Sequence, residues 1–412
     1  MKHRSFLCRT MRKNLVQMSL KRSIYGLQHW ETWHWLVKYL PMIPFWIAHC
    51  IKARSWWFFT AANPTLTFGG YEGENKMEMY DLLPEGTYPK TMLIKTTMSR
   101  SAVETQIRAG GFDFPIAVKP DVGRMGLMFR KINSLSALMK YHDQMKVDYI
   151  IQEFINYPLE VSVFYYRFPT EQKGTITGFV RKDCLSVTGD GISCLYELML
   201  QYPRVQFRFE EMKIKHAASL NHVIPCGENY ILCDALNLSR GGKLVSLEHE
   251  KDEQLLALFD AFSYAGDFYF GRYDIKCLSI DDLKKGKNFS ILEFNGSGAE
   301  PHHVYGNGNS FLKAMKILLE HWSILYRISL LNHKKGIPYW NFNRGVQHLL
   351  KARKHFKILR SLEFNSIHGS YSRENSTLKN KPALNHYALT INNHDSHETR
   401  RVNRKGIQEI SG

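Results

Sequence analysis

The spacing of apolar and polar positions changes period along the chain, and the changes mark its elements. Residues 99–110 have helical spacing behind Ser99 or Ser101, with Glu104 placed as a capping-box partner, so a short helix is expected. "FPIAVKP" then reads as a β run ending at Lys119 and Pro120. "DVGRMGLMFRKI" reads as a glycine turn leading into a second strand. Helical spacing returns over 134–145 behind Ser134. "VDYIIQEFI", "EVSVFYYRF" and "GTITGFVRKDCLSV" are strand-like, whereas "SCLYELMLQY" and "EQLLALFDAFSYAG" predict helices. "GRYDIKCLSI" and "FSILEFNG" predict two more strands separated by a polar Lys/Gly loop.

The ends differ from this middle. Residues 1–60 read as helical, basic and aromatic, and "AANPTLTFGGYEGEN" as a turn-rich connector. From about residue 365 the chain is rich in Asn, Ser, His and Arg, a composition that predicts disorder. The expected organisation is a Trp-rich helical region at 1–65, a connector at 66–111, a central domain at 112–330, a basic amphipathic helix at 331–364 and a polar tail at 365–412. No internal repeat is visible.

Charge sharpens the picture once it is located. The net charge is +17 over 412 residues. Residues 1–55 carry ten Lys/Arg against Glu31 alone, and residues 341–412 carry thirteen against five acids, so the middle sums to zero. A nucleic-acid enzyme would line its cleft with the excess, and no recognition motif is present, so nucleic acid is disfavoured as a partner. The seven cysteines form no CxxC pair, which argues against a zinc ribbon and a disulfide framework and for a reducing, cytoplasmic setting.

Six of the eight tryptophans fall in residues 30–57. "WLVKYLPMIPFWIAHCIKARSWWFF" is interrupted by Lys38, Pro41, Pro44, His49 and Lys52. It makes a poor spanning helix, and it lacks the cleavage site of a secretory signal. Two readings stay open: aromatic and basic residues at an anionic membrane surface, on the inner face, or a helical hairpin packed on the core. In residues 344–360, Val346, Leu349, Leu350 and Leu359 lie along one side among Lys351, Arg353, Lys354, Lys357 and Arg360, which suits the same membrane surface.

The chemistry concentrates near two predicted strand ends. In "ILEFNGSGAEP", Glu293 and Asn295 lie two apart and share a strand face. In "GRYDIK", Arg272 and Asp274 do the same. If the two strands pair, Asp274, Glu293 and Asn295 bring three oxygen ligands together, a set that suits Mg²⁺. Arg272 on that face could stabilise developing negative charge.

Taken in order, these segments resemble the ATP-grasp superfamily over roughly residues 112–320. The resemblance implies an α+β fold in which two α/β subdomains clamp ATP. "FPIAVKP" supplies Lys119 as the phosphate-binding lysine, and "DVGRMG" supplies a flexible loop with Gly123, Arg124 and Gly126. "YIIQEFINYPLEVSVFYY" is similar to the hinge that meets adenine through Gln152, Glu153, Phe154 and Ile155, and ribose through Glu160. "GRYDIK" and "LEFNGSG" match the pattern that holds magnesium through Asp274, Glu293 and Asn295. "CLSVTGDGISCLYELM" and "NLSRGGKL" are similar to segments of cyanophycin synthetase-type ligases, placing Asn237, Arg240, Gly241 and Gly242 near phosphate or substrate. In "FVRKD", Arg181 or Lys182 would be the second cationic phosphate contact, with Lys182 preferred.

The resemblance implies an ATP- and Mg²⁺-dependent carboxylate–amine ligase acting on small molecules, with Lys182 and Arg272 catalytic and His302 and His303 candidates for the acceptor pocket. The chain departs from the pattern in two ways. Its glycine loop is lean, and basic aromatic helices stand where a preceding nucleotide-fold-like domain is usual. The rival reading is a catalytically idle module that binds nucleotide and a membrane surface or anionic polymer.

Overall fold

The computed structural model describes residues 26, 29–233, 242–306 and 308–375. The strands in chain order are β1 (Thr91–Ile94), β2 (Ile116–Pro120), β3 (Arg130–Ile132), β4 (Tyr149–Glu153), β5 (Leu159–Tyr166), β6 (Thr175–Asp183), β7 (Leu185–Thr188), β8 (Asn229–Cys233), β9 (Lys243–Ser246), β10 (Phe270–Cys277) and β11 (Phe289–Asn295). They build a four-stranded sheet ordered β1-β4-β2-β3, a five-stranded sheet ordered β11-β10-β5-β6-β9, and the two-stranded sheet β7-β8. Every pairing is antiparallel. The architecture is α+β, as expected.

Around the four-stranded sheet, helices Arg100–Ala109 and Leu135–Gln144 turn Val103, Ile107, Leu138 and Tyr141 onto Ile116, Val118 and Ile151. Both helices open as the serines predict: Ala102 N–H donates to Ser99 Oγ (3.2 Å) and Ala137 N–H to Ser134 Oγ (3.3 Å). Glu104 pairs with Arg108 one turn on, in place of the expected capping box. The five-stranded sheet packs one face on helix Glu253–Gly266, where Leu255, Phe259 and Phe262 meet Val161, Val163, Tyr273 and Ile275. A smaller cluster covers β7 and β8 with helices Leu195–Gln201 and Phe209–Lys215.

Three boundaries differ from the expectation. The central domain begins before residue 112, because β1 pairs with β4 and helix Arg100–Ala109 completes the same core. The single helix expected at 331–364 is replaced by two, Phe311–Lys334 and Phe342–Asn375, separated where Gly336 takes φ +99° and Pro338 follows. The second helix continues to Asn375, past the expected start of disorder at 365. Residues 376–412 lie outside the described residues.

The apolar side expected to face a membrane on the C-terminal helix is divided: Leu359 is buried with Ala352, Phe356 and Leu362 in the core of the four-stranded lobe, Val346 and Leu349 are half-buried, and Leu350 is exposed. The N-terminal region divides between its two readings. Trp30 is buried and stacks on Tyr305, while Trp46, against Phe58 and Trp322, and Trp57, stacked on Phe342, are half-buried and pack on the core. Trp35 and Trp56 are exposed. Among the described residues no helix is long and apolar enough to cross a membrane.

Candidate functional site

Alternation along β10 puts Arg272, Asp274 and Lys276 on the sheet face opposite the Phe259 core. The register then places Asn295 and Glu293 of β11 beside Arg272 and Asp274, and Ser162 and Glu160 of β5 beside Asp274 and Lys276. Lys182 of β6 stands opposite Glu160. A polar row therefore crosses four adjacent strands.

Asp274 is its centre. Arg272 Nη2 donates to Oδ2 at 3.1 Å and Arg272 Nε to Oδ1 at 3.2 Å, while Lys182 Nζ lies 3.0 Å from Oδ1. Ser162 Oγ also donates to Oδ1, and Asn295 Nδ2 lies 3.5 Å from Oδ2. Burial opposes ionisation here, but Arg272 and Lys182 outweigh it and hold the carboxyl well below the usual range. Lys182 also donates to Glu160 at 3.0 Å. Burial works against the charge on Lys182, yet Asp274 and Glu160 keep it protonated with a raised pKa.

The β10–β11 pairing slips between Asp274 and Ile275, and the slip leaves Leu292 as the extra residue. Its carbonyl is thus free of the ladder. It accepts from Tyr80 Oη at 2.6 Å and from Lys119 Nζ at 3.1 Å. Lys119 comes from β2, so this bulge is where the two lobes meet. Burial, and after it the nearby Lys76, push the Lys119 ammonium down to about 8.

Part of the site went unread in the sequence. The supposed connector is a wall of it. Lys76 Nζ donates to Glu293 at 2.8 Å, and Lys76 N–H donates to Asp121 O at 3.1 Å. The two glycines of "FGG" lie against the "NGSG" turn: Ser297 N–H donates to Gly69 O at 3.0 Å and Gly298 N–H to Gly70 O at 3.2 Å. Gly69 has φ +67°, and a Cβ there would meet Phe59 O at 2.8 Å, so glycine is required. Asn63 is buried and bonds Phe270 O (2.9 Å), Gly69 O (3.1 Å) and the amides of Tyr269 and Phe270. The spacing "NP…FGG…GENK" was the available signal, but a run of turn residues carries no period that says what it packs against.

Other expected residues divide. Glu160, Lys182, Arg272, Asp274, Glu293 and Asn295 share the polar row, and Lys119 joins it. Gln152 is buried, with its amide donating to Thr91 Oγ1 at 2.7 Å, so its side chain is engaged within the first sheet. Glu153 is exposed at the end of β4, and Phe154 lies under the ammonium groups of Lys131 (4.2 Å) and Lys276 (5.8 Å). Ile155 follows it, half-buried. Gly123, Arg124 and Gly126 lie on the β2–β3 loop, where Arg124 pairs with Glu72 (2.6 Å) and Gly126 has φ +71°. Arg181 pairs with Asp183 (2.7 Å). Asn237, Arg240 and Gly241 lie outside the described residues. His302 Nδ1 lies 3.0 Å from Ser162 Oγ and so joins the row, whereas His303 is buried beside His321.

Asp274 and Glu293 are register partners with Asn295 next along the strand, which suits magnesium, an ion that takes one or two carboxylates and completes its shell with phosphate and water. A closed cage is absent: among the described residues no three His, Cys, Asp or Glu side chains converge. The residues present fit an open magnesium site only once Arg272 and Lys182 give up Asp274 and Lys76 gives up Glu293, the contacts they hold here.

No known family profile matches the chain, and no curated protein matches its sequence. Its structure is similar to a bifunctional glutathione synthetase from Pasteurella multocida, with 12% identity, TM-score 0.38, and cover of 60% of this chain and 36% of that one. It is also similar to the VanG D-Ala:D-Ser ligase from Enterococcus faecalis, with 13% identity, TM-score 0.35, and cover of 60% and 61%. A third is the D-alanine–D-alanine ligase from Bacillus anthracis, with 12% identity, TM-score 0.37, and cover of 61% and 68%. These are ATP-grasp enzymes. The chain spans about a third of the length of the first and about three-fifths of the second.

Proposed function

We propose that the chain is an ATP- and Mg²⁺-dependent ligase that activates a small-molecule carboxylate as an acylphosphate and joins it to an amine, in cell-envelope or peptide and polymer metabolism. The observation that carries this reading is Lys119 of one lobe reaching the Leu292 bulge of the other, beside the row from Lys182 through Asp274 to Glu293. Lys119 and Lys182 would hold phosphate oxygens, and Arg272 would meet the oxyanion formed as the amine adds. Glu293, Asp274 and Asn295 would hold magnesium, which when bound neutralises phosphate charge. The backbone after β4 and Phe154 would receive adenine, and Glu160 the ribose. The ligase would work at the inner, cytoplasmic face of an anionic membrane, held by basic terminal segments.

One observation favours a second reading, an idle nucleotide-binding module at a membrane surface or on an anionic polymer. Both oxygens of Asp274 are already engaged by Arg272 and Lys182. Release of ADP from purified full-length protein with Mg²⁺, ATP and pooled amino acids separates the two. The ligase reading expects substrate-stimulated ADP that drops at least about a hundredfold in Lys119→Ala. No stimulated ADP, where ATP binds, sinks it.

A further inference from the structure

From Trp35 to Ala53 the chain runs as helix Trp35–Tyr39, a 3₁₀ turn over Leu40–Met42 and helix Ile43–Ala53. Leu36, Leu40, Ile43, Ile47 and Ile51 follow one another at steps of four, three, four and four, the spacing of a single helix face. A surface helix turns such a stripe toward the core and its polar residues to water. Here the core receives Met42, Trp46 and Cys50 from another side, and the stripe points out. Leu40 is 62% exposed, Ile51 70%, and Trp35 and Trp56 at the two ends 54% and 55%. Val37 and Phe45 widen the patch. An exposed apolar surface of this extent marks a docking site.

Charge decides among occupants. Between Glu31 and Glu72 there is no acidic residue, while Lys52 and Arg54 are exposed at the Ile51 and Trp56 end of the stripe. Residues 1–25 add seven Lys/Arg and no acid. A second copy would bring like charge against like charge. Tryptophans at the margins of an aliphatic stripe, bordered by cations, match the headgroup boundary of an anionic bilayer. We propose that the outward face of residues 35–56 docks on an anionic lipid bilayer, with the Leu36–Ile51 stripe entering the acyl boundary and Lys52 and Arg54 meeting lipid phosphates.

This narrows the membrane part of the proposed function to one terminus, because the C-terminal helix turns Phe356, Leu359 and Leu362 into the core and, of the four apolar residues expected along its side, leaves only Leu350 exposed. It is independent of the ligase chemistry, so lipid binding and ADP release fail separately. The docking segment also touches the site. Tyr39 donates to the Glu300 carboxylate, and the Glu300 carbonyl accepts from Arg272 Nη1 at 2.9 Å.

Flotation of full-length protein with vesicles tests it, using phosphatidylcholine with and without phosphatidylglycerol. Binding is expected to the anionic vesicles, weakened by salt. The double variant Leu40→Glu/Ile51→Glu should lower the partition coefficient about tenfold or more while its melting curve stays close to the parent's. Leu350→Glu, an exposed leucine on the C-terminal helix, should leave binding unchanged. Four results overturn the proposal: equal binding to neutral vesicles, no binding at low salt, binding insensitive to the double variant, or a lipid-free dimer that the double variant dissociates.

Discussion

Residue scale is where burial and charge set protonation, and the histidines show it apart from the polar row. His303 and His321 lie with ring centroids 5.3 Å apart behind β6, and a Cβ on Gly178 would fall 1.9 Å from His303 Nδ1. Burial, then the neighbouring His321, push His303 down to about 3, and burial pushes His321 to about 4. Both folded values lie below the ordinary 6.5, so above that pH neither state is protonated and stability is complete. As pH falls below 6.5 only the unfolded chain takes up protons, and stability is lost until the folded values are passed. At pH 5 each histidine should cost about 2 kcal/mol. Urea unfolding at pH 7 and 5 checks this: the loss should shrink by about 2 kcal/mol in His321→Gln, and an unchanged loss rejects the assignment. Arg272 with Asp274, and Glu293 with Asn295, were legible because strand alternation links residues two apart, whereas Lys182 came only from the resemblance. Lys76 was not legible, since its partner Glu293 lies over two hundred residues away and no period connects them.

At the scale of elements, periodicity located the helices better than it oriented them. The segment after residue 342 has helical spacing in the sequence, but spacing alone does not say whether the apolar side meets lipid or protein. The structure turns Phe356 and Leu359 into the core of Val118, Ile132 and Leu138, so the helix braces the four-stranded lobe. Phe356→Ala should cost about 3–5 kcal/mol in denaturant unfolding, and the exposed Lys357→Ala less than about 0.5 kcal/mol. Equal effects from the two would contradict the bracing role. The N-terminal helices show the reverse case, with an apolar stripe that the core leaves uncovered. Strand β1 was missed because "TMLI" is too short to carry a period, and only its pairing with β4 makes it a strand.

Over the whole molecule, two lobes meet at a shared polar row, and the β2–β3 loop lies beside it with Arg124 paired to Glu72 and set over Phe356. Met125 and Met128 hold φ of 52° and 56°, uncommon for side chains of their size, and Met125 is exposed. If nucleotide binds between the lobes, this loop closes on it. Tryptic cleavage after Arg124 should then slow several-fold with ATP and Mg²⁺, read by mass spectrometry of full-length protein. Cleavage that is indifferent to saturating nucleotide argues against the loop's assignment.

The sequence by itself determined the local periods, the residue types on each strand face and the basic ends, because these depend on neighbours within a few positions. From them followed the mixture of strands and helices and the Asp274, Glu293 and Asn295 row, while the α+β class came with the resemblance. Only the tertiary structure decided which face each helix buries, which residues neutralise those carboxylates, and that "FGG" and Lys76 wall the site. Those outcomes rest on burial and on pairing between distant segments, which exist only once the chain has folded.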